Sequence, residues 1–457
     1  MPLMHVLLVS TYELGRQPFG LASPAAWLRR AGHDVVCADV SRQPLDPDVV
    51  RRAAFVAFYL PMHTATRLAL PVIAAVRAMN PGARIGAYGL YAPLNRELLR
   101  AHGASAILGG EFEAGLVHVA DGGDAAGVEA GELPKLDFLV PDRSDLPPLS
   151  RYASLRLPDG TSRVVGYTEA SRGCKHLCRH CPVVPIYDGR FRVISPDVVL
   201  ADIRAQVAQG AQHVTFGDPD FFNGIGHALR IIDRLARECP GVTYDVTVKV
   251  EHLLQHAAHL PRLRDTGCLF VTSAVESVDN AVLAILDKGH TRDDFVTATR
   301  LCRRSGLTLS PTFVPFTPWT TIEGYRELLQ TIEELELVEH VAPVQLAIRL
   351  LLPEGSRLLD LPQVRELVGP FDAEKLVHPW VHEDARMDQL QREVAAVAGA
   401  RASESRPAVF DDVWALAHRE ARTPPARPRA SVGRPVPYVN EPWYCCAEPL
   451  EEPARGV

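Results

Sequence analysis

The chain has 457 residues, too long for one ordinary domain and long enough for two or three. Apolar residues make up 47% and charged residues 23%, a globular composition that excludes a disordered or fibrous chain. A formal charge of −7 argues against broad electrostatic binding to nucleic acid or an anionic membrane. No apolar run has bilayer length, and the short run His5–Val9 has neither the basic flank nor the cleavage site of a signal peptide. The expectation is a cytoplasmic protein with no nucleic-acid or membrane partner.

In chain order, residues 4 to about 120 alternate β-rich runs with helical ones. The expected strands are His5–Val9, Asp34–Val40, Ala54–Leu60, Arg84–Tyr88 and Ala104–Leu108. The helical stretches between them include Ser23–Arg30, Thr64–Met79 and Asn95–His102. This alternation implies a doubly wound, Rossmann-like α/β domain over 1–135, whose ligands would meet the carboxyl ends of the strands. Those ends carry the loops 10–19, 61–63, 89–93 and 109–113. Residues 121–150, rich in Gly, Asp, Glu and Pro, read as an exposed linker. A hairpin follows, Leu155–Leu157 and Arg163–Thr168 about a Pro158-Asp159-Gly160 turn, so that 136–165 is linker and hairpin.

A second α/β unit, a partial or full barrel, is expected over 166–365. Its helices are Val198–Gln209 and Ile225–Glu238. Its strands are His213–Phe216, Thr243–Lys249, Cys268–Ala274, Thr308–Val314 and Val344–Leu351. Residues 366–457 form a carboxyl-terminal extension with helices near Asp384–Val397 and Val409–Ala421. An extended Pro/Arg-rich stretch over 423–442 leads to the tail Cys445-Cys446.

The chain has nine cysteines, a poor basis for a disulfide framework. Cys174, Cys178 and Cys181 are spaced C-x3-C-x2-C directly after Gly173. Three thiolates in one short loop can hold one face of a 4Fe–4S cube and leave one iron open. Zinc, with His176 or His180 completing the ligand set, is the alternative.

This motif, opening an α/β barrel, resembles the radical S-adenosylmethionine (SAM) superfamily. The likeness extends over about 166–360, through "VTFGDPDFFNG" (214–224), "SAVESVDNAVLAILDKGHT" (273–291) and "TLSPTFVPFTP" (308–318). It implies an enzyme that binds SAM on the open iron, cleaves it with one electron and draws that electron from a donor such as flavodoxin or ferredoxin. It places Gly217, Asp218 and Asp220 near the SAM amino group, and Glu276 and Ser277 near its ribose or carboxylate. Turn capping for the two aspartates, a surface ion pair for Glu276 and a solvated helix-end charge for Lys288 are the plain structural readings.

The doubly wound domain ahead of the barrel, with "GLASPAAWLRRAGHDVVCADVS" and "GGEFE" (109–113), resembles the cobalamin-binding class of the superfamily. The chain has no D-x-H-x-x-G for a cobalt-ligating histidine, and cobalamin is a possible cofactor only. Tyr12, Glu13 and His63 lie in loops facing that site. The closing "CCAEP" resembles the CUAEP/CCAEP-tail radical SAM proteins. It also resembles, with different flanking residues, the vicinal cysteines of the radical SAM enzyme of arsinothricin biosynthesis, which moves an aminocarboxypropyl group onto trivalent arsenic. Two adjacent soft thiolates suit a thiophilic substrate, so Cys445 and Cys446 are expected to hold a small-molecule substrate. Cobalamin-dependent methylation or peptide modification, and a non-catalytic Fe–S or thiophile-binding protein, are the competing readings.

Overall fold

The computed structural model describes residues 3–124, 133–401, 404–419 and 435–440. The first sheet comprises β1 (His5–Ser10), β2 (Asp34–Asp39), β3 (Phe55–Tyr59), β4 (Arg84–Tyr88) and β5 (Ala104–Leu108). It is five-stranded and wholly parallel, in the order β2-β1-β3-β4-β5. Helices cover both faces, so strands such as Phe55–Tyr59 are buried at every position. Apolar clusters on the two sides of the sheet hold it together, one around Val9, Phe58 and Ile73, the other around Leu8, Leu28 and Tyr88.

The strands that follow are β6 (Ser154–Arg156), β7 (Ser162–Thr168), β8 (Ser171–Gly173), β9 (Phe191–Val193), β10 (His213–Phe216), β11 (Thr243–Thr247), β12 (Cys268–Glu276), β13 (Thr308–Phe313) and β14 (Tyr438–Val439). A seven-stranded sheet runs β13-β12-β11-β10-β7-β6-β14. Strands β7 and β10 to β13 are parallel, while β6 pairs antiparallel with both β7 and β14. The sheet is open, a half-barrel with β13 and β14 as its edges. Helices Pro196–Ala208, Ile225–Glu238, Arg292–Arg304 and Ile322–Glu334 lie between or after its parallel strands, and the largest apolar cluster joins them to the sheet. Among the described residues no helix is long and apolar enough to cross a membrane.

Two expectations change. Residues 344–351 do not form a strand. Pro343, which has no N–H, opens a 3-10 turn over Pro343–Leu346, and the Gln345 side chain accepts the Phe313 N–H at 3.1 Å. One parallel bridge, Phe316 to Arg349, is all that follows. The second change concerns the Pro- and Asp-rich segment, which is not simply exposed. Leu133, Leu146, Leu149 and Arg143 are buried. Arg143 reaches Asp202 through Nε at 2.8 Å, donates to the Tyr167 carbonyl at 2.7 Å and to Gln17 Oε1 at 2.9 Å. One guanidinium thereby ties a loop of the first domain, the connecting segment and the start of the half-barrel.

Both partners of the Arg143–Asp202 pair are out of water, so removing one leaves an uncompensated buried charge. Arg143→Ala is expected to lower stability by about 3–5 kcal/mol, read as a shift of the urea midpoint.

Candidate active site

Strand β8 leads straight into the cysteine loop. Gly173 has φ +76°, and a Cβ there would lie 2.3 Å from the Tyr187 ring and 2.5 Å from the Arg190 carbonyl. Only glycine turns the chain here, for reasons of handedness and crowding within the protein itself. Asn223, at the end of the β10 segment, pins the loop: its Oδ1 accepts the Lys175 N–H at 3.2 Å and lies 3.8 Å from Cys174 Sγ. At the far end, the Arg179 guanidinium donates to the Ala284 and Ile285 carbonyls that close helix Asn280–Leu286.

Cys174, Cys178 and Cys181 are unbridged thiols on the wall of one cavity of about 270 Å³. Burial, with the Asp220 charge adding to it, pushes the Cys174 thiol up to about 11. A metal that binds it must displace the proton. The histidines that would complete a zinc set are engaged elsewhere. His180 Nε2 lies 3.1 Å from Glu276 Oε1, and His176 Nε2 lies 3.3 Å from Asp220 Oδ2. Three unbridged thiols of one short loop, lining one cavity without a free fourth ligand among the described residues beside them, therefore suit a cluster with one open iron better than a four-ligand zinc site.

Glu276 ends β12 in the left-handed region, φ +68°, where the β12–β13 register shifts. A non-glycine residue held there signals a functional constraint. Its carboxylate is buried and meets Lys288 Nζ at 3.3 Å as well as His180. Burial alone would raise its pKa. The Lys288 ammonium foremost, then the His180 bond, overcome this and hold the carboxyl at about 2. Lys288 is 3% exposed, so it is a buried counter-ion and not a solvated helix end. Nor is Glu276, at 5% exposed, part of a surface ion pair.

The remaining predicted positions divide. Gly217, Asp220 and Glu276 line the cavity, whereas Asp218 and Ser277 are absent from its wall. The Asp218 carboxylate accepts the Ala170 N–H at 2.9 Å and the Ser171 hydroxyl, and burial pushes it up to about 7. It steadies the strand that carries the cysteine loop. Ser277 accepts the Asp279 N–H and shapes a turn. Asp220 caps Phe222 N–H at 3.0 Å and faces two imidazoles, His252 Nδ1 at 2.6 Å and His176. Burial opposes its charge, but the two neighbouring imidazoles, His176 and His252, prevail and its pKa falls below the ordinary value. These three groups could also hold a cation, since one ligand atom from each lies within 4.8 Å of the others. Cys445 and Cys446 lie outside the described residues.

The first domain closes the opposite wall. Glu13, Tyr59 and Phe112 line it. Glu13 is buried, and desolvation, with Glu169 nearby, raises its pKa well above the carboxylate range. His63 Nε2 donates to the Lys375 carbonyl, and the residue does not line the cavity. Arg172, two residues before Cys174, is buried among Glu113 at 2.7 Å, Glu169 at 2.7 Å and Glu111 at 3.3 Å. The "GGEFE" acids are thus the partners of the cysteine loop. Sequence reasoning missed this pairing, because Arg172 and Glu113 are 59 residues apart and neither has a telling spacing.

Residues 168–332 match the model of the radical SAM superfamily. Among curated proteins, tRNA-2-methylthio-N(6)-dimethylallyladenosine synthase of Desulfosudis oleivorans is 28% identical over 196 residues, covering 40% of each chain. Bacteriochlorophyllide d C-8(2)-methyltransferase of Chlorobaculum tepidum is 25% identical over 186 residues, 38% of this chain and 40% of that protein. The matched region thus spans about two fifths of these relatives. The fold reaches further. The cobalamin-dependent S-adenosylmethionine radical enzyme OxsB superposes with a TM-score of 0.69 at 14% identity, over 92% of this chain and 73% of that one. The radical S-adenosylmethionine methyltransferase TsrM of Kitasatospora setae gives 0.57 at 16% identity, over 73% and 71%. The two-domain α/β architecture is shared with both.

The sign of the Glu276 shift sets a pH test. A carboxylate with a depressed folded pKa contributes stability above its unfolded value of about 4.3, and loses it as the pH falls toward the folded value. Glu276→Gln leaves Lys288 buried without its partner, which should cost about 3–5 kcal/mol at pH 7. In urea denaturation the gap from the unsubstituted protein should narrow steadily as the pH drops below about 4.5.

Proposed function

We propose that this chain is a radical SAM transferase in which Cys174, Cys178 and Cys181 hold a 4Fe–4S cluster and SAM occupies the adjoining cavity. One observation carries the reading: the three thiols, Gly217 and the Glu276–Lys288 pair share the wall of one cavity at the carboxyl ends of the half-barrel strands. The match of residues 168–332 to the superfamily supports it. When bound, the cluster supplies the electron that cleaves SAM reductively, and a partner protein such as flavodoxin or ferredoxin renews it.

The protein's own groups do the positioning. Asn223 and Arg179 set the two ends of the cysteine loop. Gly217, where a Cβ would strike the Tyr167 hydroxyl at 1.8 Å, makes room for that ring and borders the cavity beside it. Glu276, kept ionised by Lys288, offers a fixed acceptor to a ribose hydroxyl or an amino group. Asp220 offers a second, oriented by its two histidines. Asp218 and Ser277 serve by holding backbone.

The group transferred is derived from SAM, and the acceptor is a small molecule. In the specific form of this proposal the acceptor is thiophilic, trivalent arsenic held by Cys445 and Cys446, and the group is aminocarboxypropyl. The support is the chemistry of two adjacent soft thiols. Cobalamin-dependent methylation is the second reading, favoured by the fold shared with OxsB and TsrM.

Anaerobic reconstitution with iron and sulfide, then reduction with SAM with and without arsenite, tests the reading. The expected products are 5′-deoxyadenosine for adenosyl radical chemistry or methylthioadenosine for aminocarboxypropyl transfer. Replacing the three loop cysteines by Ala should abolish both iron loading and SAM cleavage. A well-formed cluster that binds no SAM would instead leave a non-catalytic protein. Cys445→Ser with Cys446→Ser should abolish arsenite-dependent turnover and leave the cluster spectrum unchanged. Full turnover by that double variant would remove the tail from the mechanism.

A further inference from the structure

The amino-terminal domain has the fold of a cofactor carrier, and its side chains decide whether it carries one. In the order β2-β1-β3-β4-β5, the connections from β1 and β3 leave toward opposite sides of the sheet. Doubly wound sheets take their ligands in the crevice at this reversal, outside the carboxyl ends of the strands.

Here the side of the crevice against helix Phe19–Arg30 is filled by the protein. Tyr59 is the last residue of β3, and its ring lies directly over the first turn of helix Phe19–Arg30. A Cβ on Gly20 would stand 2.1 Å from Tyr59 Cζ and 2.3 Å from each Cε. The glycine therefore makes room for the tyrosine, not for a ligand. On its other side Tyr59 meets the exit of β4, where a Cβ on Gly89 would be 3.2 Å from Tyr59 Cε2. Tyr88 and Phe112 pack against it, with ring centroids at 5.4 and 6.0 Å, and against each other at 4.9 Å. The Tyr88 hydroxyl donates to the Gly20 carbonyl at 2.8 Å, which fixes helix and plug together. The Arg172 guanidinium lies 5.1 Å from the Phe112 ring centre, so the carboxylate cluster lies beside the aromatic one.

A corrinoid needs a broad face above the strand ends and a slot for its nucleotide tail. The slot is occupied by three aromatic rings. What remains is the cavity between this domain and the cysteine loop, lined on this side by Glu13, Tyr59 and Phe112. That space must also receive SAM. The residues present do not fit cobalamin.

We infer that the domain is a cobalamin-type fold whose ligand crevice is closed by Tyr59, Tyr88 and Phe112, and that it works instead as a cofactor-free wall presenting Tyr59 and Glu13 to the substrate cavity. The inference stands on the first domain alone and holds whether or not the proposed SAM chemistry does.

The full chain, produced in a host without cobalamin and reconstituted with iron and sulfide, is incubated anaerobically with excess hydroxocobalamin or methylcobalamin and desalted. Cobalt per chain is then measured by mass spectrometry alongside the corrin absorption bands. The expected result is cobalt no higher than on an albumin control, with SAM-derived products unchanged by either corrinoid. Cobalt approaching one per chain, or SAM cleavage that requires added corrinoid, would overturn the closed crevice. Absence of both cobalt and SAM cleavage would count against the proposed function and leave the closed crevice intact.

Discussion

The architecture depends on one buried cation. Arg172 sits two residues ahead of the first loop cysteine and meets carboxylates from both domains, Glu169 from its own and Glu111 and Glu113 from the other. A guanidinium out of water is tolerable only when so surrounded. The same necessity locks the domains together, because no set of acids in the half-barrel alone meets it. Burial also pushes Glu111 up to about 7, which eases the crowding of negative charge around a single cation. The cavity wall opposite the cysteines is set by this contact, and so is the approach of Glu13 and Tyr59.

The second constraint is the strained end of β12. Glu276 is held in a conformation that suits glycine, and it is kept ionised by the buried Lys288 beside it. Together they present one fixed acceptor beside the cysteine loop, the arrangement a polar cofactor requires. Asp220 is built differently, with a backbone cap and two imidazoles in place of a lysine, so the two carboxylates have distinct surroundings and need not share a role.

The first domain shows how a fold outlives its usual content. Strand order, helices and overall superposition match cobalamin enzymes, while the crevice that would hold the group contains the protein's own aromatic side chains. Packing Tyr59 against Gly20 turns a ligand slot into core. The surface left exposed becomes the boundary of a neighbouring site.

Much of this was legible locally. The β-branched and apolar runs of β1 to β5 mark a parallel sheet because both of its faces are buried, and the strands Arg84–Tyr88, Ala104–Leu108 and His213–Phe216 fall where the pattern puts them. The spacing of Cys174, Cys178 and Cys181 carries the proposed cluster loop, because ligands from one short segment need no distant partner. Residues 344–351 misled, since an apolar run signals burial and not backbone pairing, and Pro343 with the Gln345 amide diverts it into a turn. Lys288 read as a solvated charge because its counter-ion Glu276 is brought to it only by the turn of the chain after β12. Chemistry that lies within one segment was therefore determined by the sequence alone. The ion pairs of Arg172 and Lys288, the bonding of Asp218 to Ala170 and Ser171 in place of the cavity, and the packing of Tyr59 over Gly20 were decided by tertiary structure, because each is a contact between residues whose separation along the chain carries no periodic signal.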